Sequence, residues 1–351
     1  MDFTTYIQSI DKDSKVALLH DTDMDGMSAA VLTLRALEKL QKTIALVIPK
    51  EHGSREVSQE FLLSLEEHAI THLICVDLAL ENFDYADKLE KYNVLVLDHH
   101  PTQPDAEKSF LVIKPEDIQD RVANYQYCSA HLVYTLFSKL TSLEEYDWLA
   151  LAGIIGDMTH PHHQPLVQEL LEKYNNPLLE DVYETPFARI PIFTGYACST
   201  EHGEEDVFNA LLESTTPTEV IDKLSKYTVV EEELGYLREQ FPVKRETYKD
   251  IHFYKFESEY KLNSMLSTII SKKDISEDAI LVTIHQQDEH CSASARRQDG
   301  KLHMGEMMDY ATEPLSQAQG GGHKPAAGAK FQTKDLETFK ERIRNWRDQH
   351  E

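Results

Sequence analysis

The chain has 351 residues, 41% of them hydrophobic and 27% charged. These proportions exclude a disordered or fibrous class, and the length favours two domains over one. The net charge of −26 is concentrated in the first part, where residues 1–240 hold 18 Lys and Arg against 43 Asp and Glu, whereas residues 241–351 hold 17 against 18; so acidic a surface opposes tight non-specific binding of long nucleic acid and suits a protein that gathers cations.

In chain order, Val16 to His20, Thr43 to Pro49, Thr71 to Asp77 and Val94 to Asp98 are short apolar runs that end in polar residues. They are separated by stretches of helical period, Ser28 to Leu40 and Val57 to His68. This alternation predicts a parallel α/β sheet, with any ligand outside the carboxyl ends of the strands. Helices follow at Ala130 to Leu140, with Ser129 as its N-cap, at Trp148 to Gly156 and at Val167 to Tyr174. The organisation read from this pattern is a domain over 1–190, a helical connector over 191–240 and a smaller α/β domain over 241–351. In the last domain strands are expected near Ile251 to Phe256, Ala279 to Ile284 and His290 to Arg296. Helices are expected near Leu262 to Ser271 and Thr333 to Arg347, with a glycine-rich loop at 320–322.

No apolar run approaches the ~20 residues that cross a bilayer. The start MDFTTYIQSIDKD has no basic segment leading into an apolar one, so a cytoplasmic location with no membrane partner is expected. Cys75, Cys128, Cys198 and Cys291 form no close pair and read as buried free thiols.

Four sets of residues carry chemistry. The segment His20-Asp21-Thr22-Asp23-Met24-Asp25-Gly26 crowds three carboxylates after a predicted strand, a repulsion that a divalent cation relieves. Taken alone, it is equally an exposed acidic turn. Asp77 ends the third run, where a lone Asp is usually a cap or turn residue. Leu97-Asp98-His99-His100 ends the fourth; adjacent imidazoles can serve different partners while the carboxylate orients a ring, although paired loop histidines are often plain surface. Gly153-Ile154-Ile155-Gly156-Asp157 delivers a further carboxylate from a helix that its small residues let pack closely, or is a packed helix end.

In this order on an α/β scaffold, the four sets resemble the motifs of the DHH family of phosphoesterases. Gly320-Gly321-Gly322-His323-Lys324-Pro325-Ala326-Ala327-Gly328 resembles the signature of the DHH-associated C-terminal domain. The resemblance implies an N-terminal metal-binding domain, a helical connector and a C-terminal substrate-binding domain, with the active site in a cleft between the domains. It implies two divalent ions, manganese or magnesium, held by Asp23, Asp25, Asp77, His99 and Asp157, with Asp77 bridging. His100 matches a contact to the substrate phosphate, and Asp98 lies behind it. His20 precedes Asp23 by three residues where many relatives place the histidine four before, so His20 and Asp21 both stand as candidates to complete the first metal site. His160, His162 and His163 read as a loop beside the cleft.

Two such ions activate a water for in-line attack on phosphorus, and no nucleophilic side chain is required. Three glycines let backbone N–H groups approach an anion, and His323 can add a donor. Ser294-Ala295-Arg296 resembles a strand end that points a guanidinium at phosphate; Arg297 is its rival, and strand alternation lets one of the two face the ligand. The expected activity is RecJ-like or NrnA-like hydrolysis of short single-stranded oligonucleotides. Hydrolysis of phosphoadenosine phosphate or of a cyclic dinucleotide is the alternative small-nucleotide reading. An inactive nucleic-acid-associated scaffold is the alternative from another class, and a homodimer is an open alternative for assembly.

Overall fold

The computed structural model describes residues 2–51, 56–103, 110–118, 123–177 and 179–350. It separates into two compact units, Met1–Lys226 and Tyr227–Glu351.

In the first unit, α1 (Phe3–Ser9) leads into β1 (Val16–His20), α2 (Met24–Lys39), β2 (Ile44–Pro49), α3 (Gln59–Glu67), β3 (His72–Val76), β4 (Asn93–Leu97) and β5 (Leu111–Ile113). The sheet order is β2-β1-β3-β4-β5, and every pairing is parallel. All five residues of β1 and of β3 are buried, as expected of strands covered on both faces, whereas the edge strand β2 is only partly so. Strand order reverses between β1 and β3, and a doubly wound sheet opens its ligand crevice at that switch point. Ala17, Leu73, Cys75 and Val96 pack with Leu65 of α3 in the core on one face.

The chain then forms α4 (Pro115–Ile118), α5 (Ser129–Phe137), α6 (Asp147–Gly156), α7 (Gln164–Lys173), α8 (Arg189–Cys198), α9 (Gly203–Glu213) and α10 (Pro217–Leu224). Helix α2 packs on α5 and α6. From Asp147 to Ile155, every residue of α6 is buried, which explains its nearly unbroken apolar sequence. Helices α8 to α10 belong to this unit, and α11 (Thr228–Lys244) belongs to the second.

The second unit continues with β6 (Glu246–Tyr248), β7 (Ile251–Phe256), α12 (Asn263–Lys273), β8 (Ile280–Gln286), β9 (His290–Arg296), α13 (Met304–Thr312), β10 (Gln319–Gly322), β11 (Ala326–Gln332) and α14 (Leu336–Gln349). Its sheet runs β10-β11-β9-β8-β7-β6, with β7 and β8 parallel and the other neighbours antiparallel. Val282, Ala293 and Phe331 pack with Met307, Phe339 and Trp346 in one core. Phe331 and Phe339 stack at 4.2 Å, and each buried ring of this size contributes about 2 kcal/mol.

Three local readings need correction. Helix α2 starts at Met24 rather than Ser28, because the Asp23 side chain caps it by accepting the Gly26 amide. Ser129 lies inside the first turn of α5, and the capping position falls to Cys128, which makes no side-chain cap bond. The triple glycine is the edge strand β10 rather than a loop, because its backbone pairs with β11. Among the described residues, no helix is long and apolar enough to cross a membrane.

Candidate metal centre

The carboxyl ends of β1, β3 and β4 deliver the first three motifs, and the end of α6 delivers Asp157. Asp25, in the first turn of α2, is buried, and its carboxylate accepts the Ser129 amide at 2.6 Å and the Ala130 amide at 2.8 Å. The amino end of α5 is thereby fixed against α2. Gly153 keeps this space open: a Cβ there would lie 2.7 Å from Asp25 Oδ1 and 2.6 Å from Ala130 Cβ. Asp77 is buried with φ of 60°, a left-handed conformation that a non-glycine residue adopts at a cost and that is concentrated at functional sites. Its Oδ1 accepts the Ser129 hydroxyl at 2.9 Å.

His99 joins two groupings close enough to share ions, Asp77 with His99 and His100, and Asp25 with His99 and Asp157. His99 Nε2 lies 3.5 Å from Asp77 Oδ1, and His99 Nδ1 lies 3.8 Å from Asp157 Oδ2. His20 and Asp23 stand outside both groupings. The His20 ring is buried, stacked on Phe208 at 4.9 Å, and its Nδ1 donates to the Asp21 carbonyl at 2.7 Å, which leaves Nε2 as the lone-pair nitrogen. Asp21 instead accepts the Thr22 amide and faces Lys50 at 3.4 Å.

Burial, followed by the charges of Asp25 and Asp23, pushes the Asp157 carboxyl up to about 8 and holds Asp77 well above the usual carboxylate range. Loss of solvent, then Asp25 and Asp21, likewise raises Asp23. No lysine or arginine pairs with Asp25, Asp77 or Asp157 among the described residues. His99 Nδ1 is buried without a hydrogen-bond partner. Crowded carboxylates without a counter-charge and an orphaned imidazole nitrogen among them fit a divalent cation.

Asp98 differs from its neighbours. Burial opposes its ionisation, but the hydrogen bond from His100 and the Lys114 ammonium outweigh it and hold the carboxyl below its ordinary range. His100 Nδ1 donates to Asp98 Oδ1 at 2.8 Å, and this bond raises the His100 imidazole. Sequence reasoning missed Lys114 and took Ser129 for a cap. No spacing signal marks either, because their partners lie 16 and 33 residues away for Lys114 and 52 and 104 away for Ser129.

In the second unit, Arg296 ends β9 and Arg297 follows it, and the alternation of the extended chain there separates the two. Arg297 is buried against Asp299 and Asp250, at 2.7 and 3.1 Å. Arg296 has no carboxylate partner among the described residues; its guanidinium reaches only the Ser267 and Ser264 hydroxyls, each at 3.3 Å. Gly328 pairs with Ser294 on β9 and with Gly321 on β10. Gly322 has φ of 141°, and a Cβ there would lie 2.6 Å from Ala327 Cα, so a side chain is excluded. The exposed imidazole of His323 has no partner among the described residues, and its amide closes the hairpin on the Ala326 carbonyl at 2.8 Å. The short turn His160–His162 packs beside Tyr183 and Tyr125 and joins neither metal grouping.

A model of the DHH family N-terminal domain matches residues 15–154, and a model of the DHHA1 domain matches residues 253–348. No curated protein matches the chain. Among solved structures, exonuclease RecJ bound to manganese superposes with a TM-score of 0.68 at 17% identity, covering 97% of this chain and 92% of that one. RecJ from Thermus thermophilus in complex with Mn2+ gives 0.64 at 16% identity, covering 98% of this chain and 53% of that one. A pGpG-specific phosphodiesterase from Vibrio cholerae gives 0.51 at 12%, covering 95% and 98%. At these identities the likeness is one of fold.

Proposed function

Because the chain belongs to the DHH family of phosphoesterases, its two domain matches together covering more than half of its length, we propose that it is a manganese-dependent phosphodiesterase acting on short oligonucleotides. The observation that carries this reading is His99, buried and unpartnered at Nδ1, set between Asp77 on one side and Asp25 with Asp157 on the other.

His20, Asp23, Asp25, Asp77, His99 and Asp157 are the proposed holders of two cations, with Asp77 between them. His20 is preferred to Asp21 because its Nε2 carries the lone pair while Lys50 and the Thr22 amide occupy Asp21. Imidazole ligands favour manganese over magnesium, which prefers an all-oxygen shell. When bound, the ions supply an acidified water and a counter-charge to the phosphorus centre. Asp98 holds the His100 ring by Nδ1 and favours its protonated form, in which Nε2–H donates to a non-bridging phosphate oxygen. In the second unit Arg296, Gly321, Gly322 and His323 bind a further phosphate, the guanidinium supplying charge, the glycine strand N–H donors and the His323 imidazole a further donor.

The likeness to a pGpG-specific enzyme favours substrates as short as a dinucleotide. Hydrolysis of phosphoadenosine phosphate or a cyclic dinucleotide uses the same metal chemistry and differs in what the second unit holds. An inactive scaffold has no need of so many buried uncompensated carboxylates. The test is incubation with Mn2+ or Mg2+ and labelled strands of two to twenty nucleotides, with phosphoadenosine phosphate, a cyclic dinucleotide and pyrophosphate alongside. Release of nucleoside monophosphate from the short strands is expected, and turnover of pyrophosphate alone, or of nothing, would overturn the reading.

A further inference from the structure

Behind the metal-facing residues, the motif residue Asp98 meets buried charge from Lys114 and Glu81 that neither the motifs nor the metal chemistry accounts for. Lys114 follows the last residue of β5, is 4% exposed, and places its ammonium between two buried carboxylates, contacting Asp98 Oδ2 closely and Glu81 Oε1 at 3.0 Å. Thr102 donates to the same Glu81 oxygen at 2.7 Å. The lysine is itself anchored, because its backbone amide donates to Asp117 Oδ2 at 2.8 Å.

Asp98 is fully buried and divides its oxygens. Oδ1 accepts the His100 ring at 2.8 Å, and Oδ2 accepts the His100 amide at 3.1 Å together with the Lys114 ammonium. Gripped on both sides, the carboxylate cannot turn about its χ2 bond without losing a charged hydrogen bond in a site that water does not reach. We propose that Lys114 is a positioning residue that, through Asp98, fixes the His100 ring for its contact with the substrate phosphate. This rests on the phosphodiesterase reading for its catalytic consequence, but the link from Lys114 to the ring is a property of the protein alone.

A purely structural lysine would stabilise the fold without regard to His100, whereas a positioning lysine acts only while His100 is present. Lys114→Met keeps the buried stem and removes the ammonium. In the metal-free protein labelled with 15N-histidine, the hydrogen-bonded Nδ1–H resonance identified by its loss in His100→Ala is expected to shift or disappear in Lys114→Met. With Mn2+ and a labelled dinucleotide, Lys114→Met is expected to lower kcat/KM by about tenfold or more, but by less than about twofold when introduced into His100→Ala. An unchanged ring resonance, or losses that multiply in the double variant, would overturn the assignment. Should Lys114→Met fail to fold, Glu81→Gln with Lys114→Met removes one charge of each sign and carries both measurements with the same expected results. Absence of dinucleotide turnover in the unaltered protein would strike the phosphodiesterase reading and leave the ring resonance to decide the role of Lys114.

Discussion

Asp25 closes the amino end of the helix that begins at Ser129, its two oxygens accepting the Ser129 and Ala130 amides at 2.6 and 2.8 Å. A residue proposed as a metal ligand is thus also a structural cap. Asp25→Ala leaves two buried N–H groups without partners and is expected to destabilise the metal-free protein by about 2 kcal/mol. Asp157 accepts no hydrogen bond among the described residues, and burial and carboxylate repulsion outweigh its attraction to His100, so Asp157→Ala is expected to leave stability unchanged or higher. Urea melts of the two variants decide; equal losses would contradict the distinction.

Asp77 combines a proposed role between two ions with a strained backbone, φ being 60°. Both Asp77→Ala and Asp77→Gly are expected to abolish turnover while remaining folded. Glycine tolerates the left-handed conformation, so Asp77→Gly should be more stable than Asp77→Ala by about 1 kcal/mol. Circular dichroism and thermal melts measure the difference, and near-normal activity in either variant would defeat the two-ion assignment.

The two adjacent arginines are expected to fail in different ways. Arg296→Ala should lower kcat/KM on a 5′-phosphorylated dinucleotide by roughly 2 kcal/mol while sparing bis-p-nitrophenyl phosphate, which has no second phosphate to hold. Arg297→Ala strips a buried partner from Asp250 and Asp299 and should lower stability by about 2 kcal/mol, with little specific effect on kcat/KM of the folded fraction. Equal losses on both substrates in Arg296→Ala would remove it as an anchor.

Strand length provides a further test. Residues 1–240 carry 18 basic against 43 acidic side chains, an excess that two divalent ions hardly offset. A long polyanion meets repulsion that a dinucleotide escapes, so kcat/KM should fall from two to twenty nucleotides and added salt should lessen the fall. Rising efficiency with length, weakened by salt, would reveal a basic track instead.

His131 provides the pH test away from the metal ligands. Its ring stacks on Tyr127 at 4.2 Å and meets His163 edge-on at 4.6 Å, and burial, followed by His163, pushes its imidazole from 6.5 down to about 3. The unfolded chain binds this proton and the folded protein does not, so the contribution to stability is present above pH 6.5 and is lost as the pH falls toward 3. Between pH 6.5 and 4 the loss should amount to about 3 kcal/mol. His131→Phe keeps the stacked ring without the titration, and its stability should fall correspondingly less over the same interval. Identical pH profiles in denaturant titrations would refute the linkage.

Strands β1 to β4 of the first sheet were legible because parallel strands within a sheet read as unbroken apolar runs, and because the acidic and histidine residues sit where those runs stop. The three-residue strands β5 and β6 were not, being too short to show a period, and α13 went unnoticed although its methionines line the second core. By itself the sequence determined which residue types are gathered, since motif spacing along one strand end is a local property. The tertiary structure alone decided which partners those residues take: Arg297 rather than Arg296 is neutralised because strand alternation turns it toward Asp250 and Asp299. Lys114 acquires its role because β4 and β5 pair side by side, bringing its ammonium to Asp98 across 16 residues of chain, and burial there makes a charge without a partner too costly to leave unpaired.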